Sequence, residues 1–263
     1  MMLVDSHCHL DFPDLAGDLE SVMALMRENQ VTHALCVSVT LEDFPKVLAI
    51  AEKYPHVFAS VGVHPDYEGV TDATPEALMR LAHHAKVVAV GETGLDYYRI
   101  KGDLEWQRER FRNHIRAARL CGKPLIIHTR EAAQDTVRIM REEGADSAGG
   151  VMHCFTETWE VAKSALDLGF YISFSGIVTF KNALALKEVA KKVPLERMLI
   201  ETDSPYLAPA PFRGKMNQPG LVKYVAAEIA RLRNQSMDQI AEATTGNFFK
   251  LFNVKKDISH AIT

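Results

Sequence analysis

The 263-residue chain has little that would mark it for a membrane, an oxidising compartment or a long polyanion. No stretch without Asp, Glu, Lys or Arg exceeds the 13 residues of Leu168–Phe180, short of the ~18 apolar residues that a spanning helix needs. No basic segment followed by an apolar run opens the sequence, and Asp5 arrives too early for a secretory signal. The chain therefore reads as cytoplasmic, with no membrane partner and no obligate protein partner. Cysteine is scarce: Cys8, Cys36, Cys121 and Cys154 lie far apart with no Cys-x-x-Cys pair. That excludes a disulfide framework or a zinc ribbon and leaves buried free thiols. Thirty Lys and Arg against 34 Asp and Glu give a net charge of −4, so no broad cationic face exists to hold duplex nucleic acid, and a polyanion must be gripped locally. A Gly-x-Gly-x-x-Gly turn after the first apolar run is missing too, which lowers the dinucleotide-binding alternative.

What is present is core material, 47% hydrophobic residues with 24% charged, close to the globular norm. Eight short apolar, β-branched runs recur: Leu3–Cys8, Ala34–Val39, Val57–Val63, Val87–Gly91, Pro124–His128, Gly150–Cys154, Phe170–Phe174 and Met198–Glu201. Between them lie stretches of helical period, namely Asp14–Asn29, Phe44–Lys53, Pro75–His84, Leu104–Leu120, Ala132–Glu143, Trp159–Leu168 and Ala183–Lys192. Such alternation, with no long linker or compositional break, predicts an α/β fold: a (β/α)8 TIM barrel forming one domain over residues 1–263. Residues 221–252 read as two further helices packing on the barrel, the second anchored by Phe248, Phe249, Leu251 and Phe252.

Chemistry gathers at the ends of the runs. Asp5-Ser6-His7-Cys8-His9 closes the first, and strand alternation places Asp5, His7 and His9 on one face with Ser6 and Cys8 on the other. Glu92, His128, His153 and Asp203 stand at the C-terminal edges of runs four, five, six and eight. In a barrel these edges meet at one mouth, where active sites of the fold are built. Four imidazoles and two carboxylates are too many for one tetrahedral ion and suit two divalent cations. The expected division gives His7, His9 and Asp203 to one, His128 and His153 to the other, and Glu92 to both. Asp203 is the candidate general base toward an attacking water, and Glu92 shares the catalytic centre as the bridge. By the same alternation Glu201 lies a layer below Asp203, and Asp5 below His7, each either steadying a ligand or forming a paired core carboxylate. Cys8 and Cys154 have the opposite parity and read as structural.

Seven segments closely resemble the TatD family, metal-dependent deoxyribonucleases with a barrel fold in the amidohydrolase superfamily. They are Asp5-Ser-His-Cys-His-Leu10, Gly62-Val-His-Pro65, Gly91-Glu-Thr-Gly-Leu-Asp-Tyr-Tyr98, Ile127-His-Thr-Arg130, His153-Cys-Phe155, Gly176-Ile-Val-Thr-Phe180 and Glu201-Thr-Asp-Ser-Pro-Tyr-Leu-Ala-Pro209. They occur in the family's order, and the resemblance runs from Asp5 to Thr244-Thr-Gly-Asn-Phe248, with all six ligands matched. It implies hydrolysis of phosphodiester bonds, including 3′–5′ exonuclease action on single-stranded DNA, with Mg²⁺ or Mn²⁺ and with Zn²⁺ able to occupy the same site. Ligand chemistry alone leaves the ion open, since carboxylates favour Mg²⁺ or Mn²⁺ and imidazoles favour Zn²⁺.

Substrate grip is expected from groups just past the ligands. His64 and Arg130 suit phosphate oxygens, and Tyr97, Tyr98 and Tyr206 suit stacking on bases. Arg213 and Lys215 add local positive charge, although loops often carry such residues without a ligand. The competing enzymatic reading is a hydrolase of C–N or C–O bonds in a small molecule, an amidase or lactonase, because one barrel site serves many chemistries. Many such enzymes bridge their metals through a carbamylated lysine on strand four, where this chain offers Glu92. A non-catalytic, metal-stabilised interaction barrel would need saturated ions, whereas six ligands for two ions leave positions open.

Overall fold

A computed structural model describes residues 2–255, so the extreme ends of the 1–263 domain span lie outside the described residues. Eight parallel strands follow one another in sequence order: β1 (Leu3–Cys8), β2 (Val31–Cys36), β3 (Val57–Val61), β4 (Val87–Asp96), β5 (Leu125–Arg130), β6 (Gly150–Met152), β7 (Tyr171–Phe174) and β8 (Met198–Ile200). The ring closes just beyond β8, where Asp203 N–H donates to His7 O and His9 N–H donates to Ser204 O, both at 2.9 Å. The crossovers carry α1 (Pro13–Ala16), α2 (Leu19–Glu28), α3 (Phe44–Lys53), α4 (Pro75–Ala82), α5 (Glu105–Cys121), α6 (Ala133–Glu142), α7 (Trp159–Asp167) and α8 (Leu184–Lys192). Two more, α9 (Val222–Arg233) and α10 (Met237–Leu251), fall within residues 221–252. This is the (β/α)8 barrel that the alternation predicts. Among the described residues no helix is long and apolar enough to cross a membrane.

The barrel has two packed layers. Strand residues such as Leu3, Cys36, Ile127, Met152 and Ile200 pack outward with the helices, while Val4, Leu35, Ile126, Val151, Tyr171 and Leu199 form a separate cluster with Phe248, Phe249 and Phe252 of the C-terminal helix region. The two sets alternate along the strands, as the pleat requires, except in β4, where the neighbours Val88 and Ala89 both join the inward set beside a register shift against β3. The phenylalanine group thus packs on the inward-facing set, at the end of the strands remote from the mouth.

Local chemistry moved several boundaries. The expected helix at 14–29 is two, because Asp18 accepts Ser21 N–H and starts α2 afresh. Strand two begins at Val31, paired with Leu3, and leaves the ladder after Cys36. Strand four does not end at Gly91 but runs on to Asp96, against β5. Gly94 permits this, since a Cβ there would lie 2.0 Å from His128 O. Register slips in β1 between Asp5 and Cys8, so alternation does not carry through: Ser6 Oγ meets Ser173 Oγ at 3.2 Å and donates to Ile200 O. Asp5 braces the backbone of His7, accepting its N–H at 3.3 Å, and leaves the ring nitrogen Nδ1 without a partner. Its carboxylate accepts Thr202 N–H at 2.8 Å and Thr202 Oγ1–H at 2.5 Å, bracing β1 against the segment after β8.

One buried histidine outside the mouth links stability to pH. His114 of α5 accepts Val63 N–H at 3.0 Å and donates to Arg110 O at 2.8 Å, and burial pushes its pKa down to about 4. Between that value and the ordinary 6.5 the unfolded chain binds a proton that the folded chain refuses, so stability present above pH 6.5 drains away toward pH 4. We expect His114→Gln to lose ~3 kcal/mol less than wild type between pH 7.5 and 4, read from urea unfolding at each pH; parallel curves would show that His114 carries no such linkage.

Candidate metal centre

Six side chains converge at the C-terminal mouth. Glu92 is the hub, its side chain 3% exposed, and its two oxygens face different neighbours. Oε2 lies 3.3 Å from His7 Nε2 and 3.9 Å from His9 Nε2. Oε1 lies 2.8 Å from His153 Nε2, 3.1 Å from His128 Nδ1 and 3.3 Å from His64 Nε2. Asp203 Oδ1 joins the first group, 3.4 Å from His9 Nε2 and 3.6 Å from His7 Nε2. All six expected ligands are brought together, and His64 stands with them.

The far nitrogen of most rings is already engaged, which decides what the near one offers. His9 Nδ1 meets Val37 O at 3.0 Å, a carbonyl that can only accept. His128 Nε2 is held by Asp96 Oδ2 at 3.0 Å, and His153 Nδ1 by Glu201 Oε1 at 3.2 Å. In the neutral rings, His9 Nε2, His128 Nδ1 and His153 Nε2 are thereby left as lone pairs aimed at Glu92 and Asp203. His64 is the exception: its Nδ1 accepts Asp66 N–H at 3.1 Å, so its Nε2 carries the proton.

Lone pairs facing carboxylates fit cations. His153 Nε2 has no hydrogen-bond partner despite its 2.8 Å approach to Glu92, and His7 Nε2 and His9 Nε2 crowd to 3.3 Å. Three overlapping sets within the group have ligand-type atoms close enough to surround an ion: His7 with His153 and Asp203, His7 with His9 and Glu92, and His64 with Glu92 and His128, the last only if His64 Nε2 gives up its proton. Burial works to raise the Glu92 carboxyl, yet His153, His64 and His7 hold it well below the usual range; Asp203 is likewise lowered against burial, chiefly by His9 and His7. Both are anionic donors at neutral pH.

Of the supporting residues, Glu201 lies where alternation put it, although β8 has ended: it also accepts Cys154 N–H at 2.8 Å. Asp203 is aimed by a left-handed backbone, φ 55°, rather than by strand parity. Cys154, φ 41°, leaves the strand pattern in the same way, so the parity that turned it away fails and it lines the mouth. Asp96 was missed by ending strand four early. Its parity with Glu92 was the available signal, and it is held at about 2, against burial, by its bond to His128.

Above the cluster opens a pocket of about 460 Å³ whose walls include Phe12, His64, Tyr67, Arg99, Arg130 and Tyr206. Phe12 stacks on His9 at 4.7 Å, and Tyr206 meets Phe12 edge-on. Neither Phe12 nor Tyr67 stood out in the sequence, where each is one aromatic residue in a loop. Arg99 pairs with Asp66 at 3.2 Å, and the Arg130 guanidinium lies 3.8 Å over the Tyr98 ring. The expectation for Tyr97 is corrected: it is absent from the pocket wall, and its hydroxyl donates to Asp135 and accepts from Arg108. Arg213 and Lys215 are also outside the wall, Arg213 lying over Phe180.

The model of the TatD related DNase family matches residues 4–253. The chain belongs to the TatD family of metal-dependent hydrolases. It is 48% identical over 257 residues to the uncharacterized metal-dependent hydrolase YcfH of Escherichia coli, covering 97% of each chain. It is 43% identical to the uncharacterized metal-dependent hydrolase YabD of Bacillus subtilis, covering 96% of this chain and all of that one. The crystal structure of YjjV, a TatD homolog from Escherichia coli, superposes with a TM-score of 0.89 at 32% identity, over 96% of this chain and 98% of that one.

Residues that orient metal-binding histidines typically change metal affinity 10- to 100-fold when removed. We expect Glu201→Ala to weaken Zn²⁺ binding by about that factor, measured by titrating metal-stripped protein against a chromogenic chelator. Unchanged affinity would show that His153 does not depend on Glu201.

Proposed function

We propose that this TatD-family hydrolase is a deoxyribonuclease that removes nucleotides from the 3′ end of single-stranded DNA, with two divalent cations at the mouth. The observation that carries this reading is the division of the donors about Glu92, whose oxygens face two separate sets of imidazoles. On this reading His7, His9 and Asp203 would hold one cation, His128 and His153 the other, and Glu92 would serve both. Such a pair would supply Lewis-acid activation of water and charge neutralisation at a phosphoryl group.

The chain's own residues then have distinct tasks. Asp203 accepts the proton of the attacking water: it is ionised, and its side chain keeps 17% exposure where Glu92 keeps 3%. His64 offers its Nε2 proton to a phosphate oxygen. Arg130 forks to the same group, releasing Tyr98, and Tyr206 with Phe12 provides the face for a base. A pocket of about 460 Å³ suits one terminal nucleotide rather than a duplex.

The test is product analysis of single-stranded DNA with metal-stripped protein resupplied with Mg²⁺, Mn²⁺ or Zn²⁺. We expect mononucleotide release by wild type and none by His128→Ala or Asp203→Ala, both still folded because the residues lie at the mouth and not in the packed layers. Intact DNA with all three ions would overturn the reading in favour of C–N or C–O bond hydrolysis. Arg130→Ala should weaken substrate binding and flatten its salt dependence while leaving metal content unchanged; a parallel loss of metal would make Arg130 a support of the centre instead.

A further inference from the structure

Helix α5 carries three polar side chains, Gln107, Arg110 and His114, on one stripe that faces the barrel, where apolar residues would be the ordinary choice. Gln107 and His114 are fully buried. All three end on the backbone of residues 63–67, the segment that bears His64. His114 accepts Val63 N–H at 3.0 Å, Arg110 donates to Tyr67 O at 2.6 Å and His64 O at 3.4 Å, and Gln107 Nε2 donates to Pro65 O at 3.1 Å.

Gln107 also reaches a second segment. Its Oε1 accepts Asp96 N–H at 2.9 Å and its Nε2 donates to Asp96 O at 3.2 Å, using both amide protons. Asp96 in turn holds His128 Nε2 at 3.0 Å. One buried amide thus sets the spacing between the loop that carries His64 and the strand end that orients His128. Those two rings lie 4.5 Å apart and both face Glu92 Oε1.

We propose that Gln107 is a positioning residue of the metal centre, holding His64 and His128 in register through the backbone of Pro65 and Asp96 without touching either ring. The inference rests on the reading of His64 and His128 as working residues of the hydrolase. A displacement of about 1 Å at such groups costs on the order of 100-fold in rate, so a clamp of this kind acts well beyond its own hydrogen bonds.

An amide that only satisfied buried carbonyls would behave differently, and the molecule contains a matched control. Asn247 of α10, remote from the mouth, donates through Nδ2 to Leu195 O and Met198 O, each at 2.8 Å. Gln107→Met keeps the length of the side chain and removes all three hydrogen bonds; Asn247→Leu removes two of the same kind. The first readout is Zn²⁺ affinity of the metal-stripped proteins. Gln107→Met should lose about 10-fold or more, with Asn247→Leu within about twofold of wild type. The second is turnover of single-stranded DNA at saturating metal, where kcat should fall about 10-fold or more with KM held within about threefold. Should the methionine variant not fold, Gln107→Asn, which keeps a neutral amide but is one methylene too short to reach Pro65 O and Asp96 together, is expected to show the same pattern with a smaller loss. Wild-type metal affinity in a Gln107 variant whose melting temperature falls like that of Asn247→Leu would overturn the proposal. So would equal losses of metal affinity in both proteins. If wild type cleaves no phosphodiester, the functional reading fails, and the Zn²⁺ titration still decides the role of Gln107.

Discussion

A carboxylate almost wholly removed from water is tolerable only when its charge is answered nearby, and the mouth of this barrel is arranged around that requirement. Five imidazole nitrogens, on His7, His9, His64, His128 and His153, lie within 3.9 Å of Glu92. They arrive from β1 and the residue just past it, from the segment after β3, from β5 and from just past β6. No local piece of chain could assemble that shell. It exists because eight parallel strands deliver their C-terminal ends to one place, and a buried anion at that place leaves few other residue types that could stand there.

The shell is held from outside. Val37 O, Asp96 and Glu201 each occupy the far nitrogen of a ring, and Asp66 N–H does so for His64. Along the barrel axis the interior changes in steps: an aromatic group from Phe248, Phe249 and Phe252 at one end, hydroxyls of Ser6 and Ser173 midway, and the charged cluster at the mouth. The apolar end supplies cohesion by burial. The polar end has its directional bonds made in advance, so donors are placed before any ion or substrate arrives, the condition for a preorganised site.

Periodicity made the barrel legible, since runs of alternating residues and amphipathic stretches follow from burial alone. The six converging side chains were legible for the same reason: each sits at the end of a run. What alternation could not show is where it stops. The register slip after Asp5 and the left-handed turns at Cys154 and Asp203 are properties of backbone geometry, and they reassign Asp5 and Cys154. Asp96 lay hidden behind Gly91 and Gly94, which look like strand breakers and instead let β4 run close to β5. Tyr97 shows the opposite limit, because adjacent tyrosines in a loop face different ways, one to Asp135 and one to Arg130. Gln107 and His114 carried no signal at all, for a polar residue on a helix reads as a solvent-facing one unless its partner is known.

The same distinction between local and global applies to charge. A net charge of −4 places no attractive field around the molecule, and beyond about 8–10 Å at physiological salt such a field would be screened in any case. What acts on a substrate is the rim, and both of its guanidiniums already have partners, Asp66 for Arg99 and the Tyr98 ring for Arg130. These partnerships keep the cations oriented and limit loose attraction of any passing polyanion. For the proposed substrate, phosphate must displace a carboxylate or a ring rather than merely neutralise a free charge. Selection at the mouth then rests on geometry at contact distance, where a planar guanidinium and a tetrahedral phosphate fit one another, and an acidic protein needs no basic surface to achieve it.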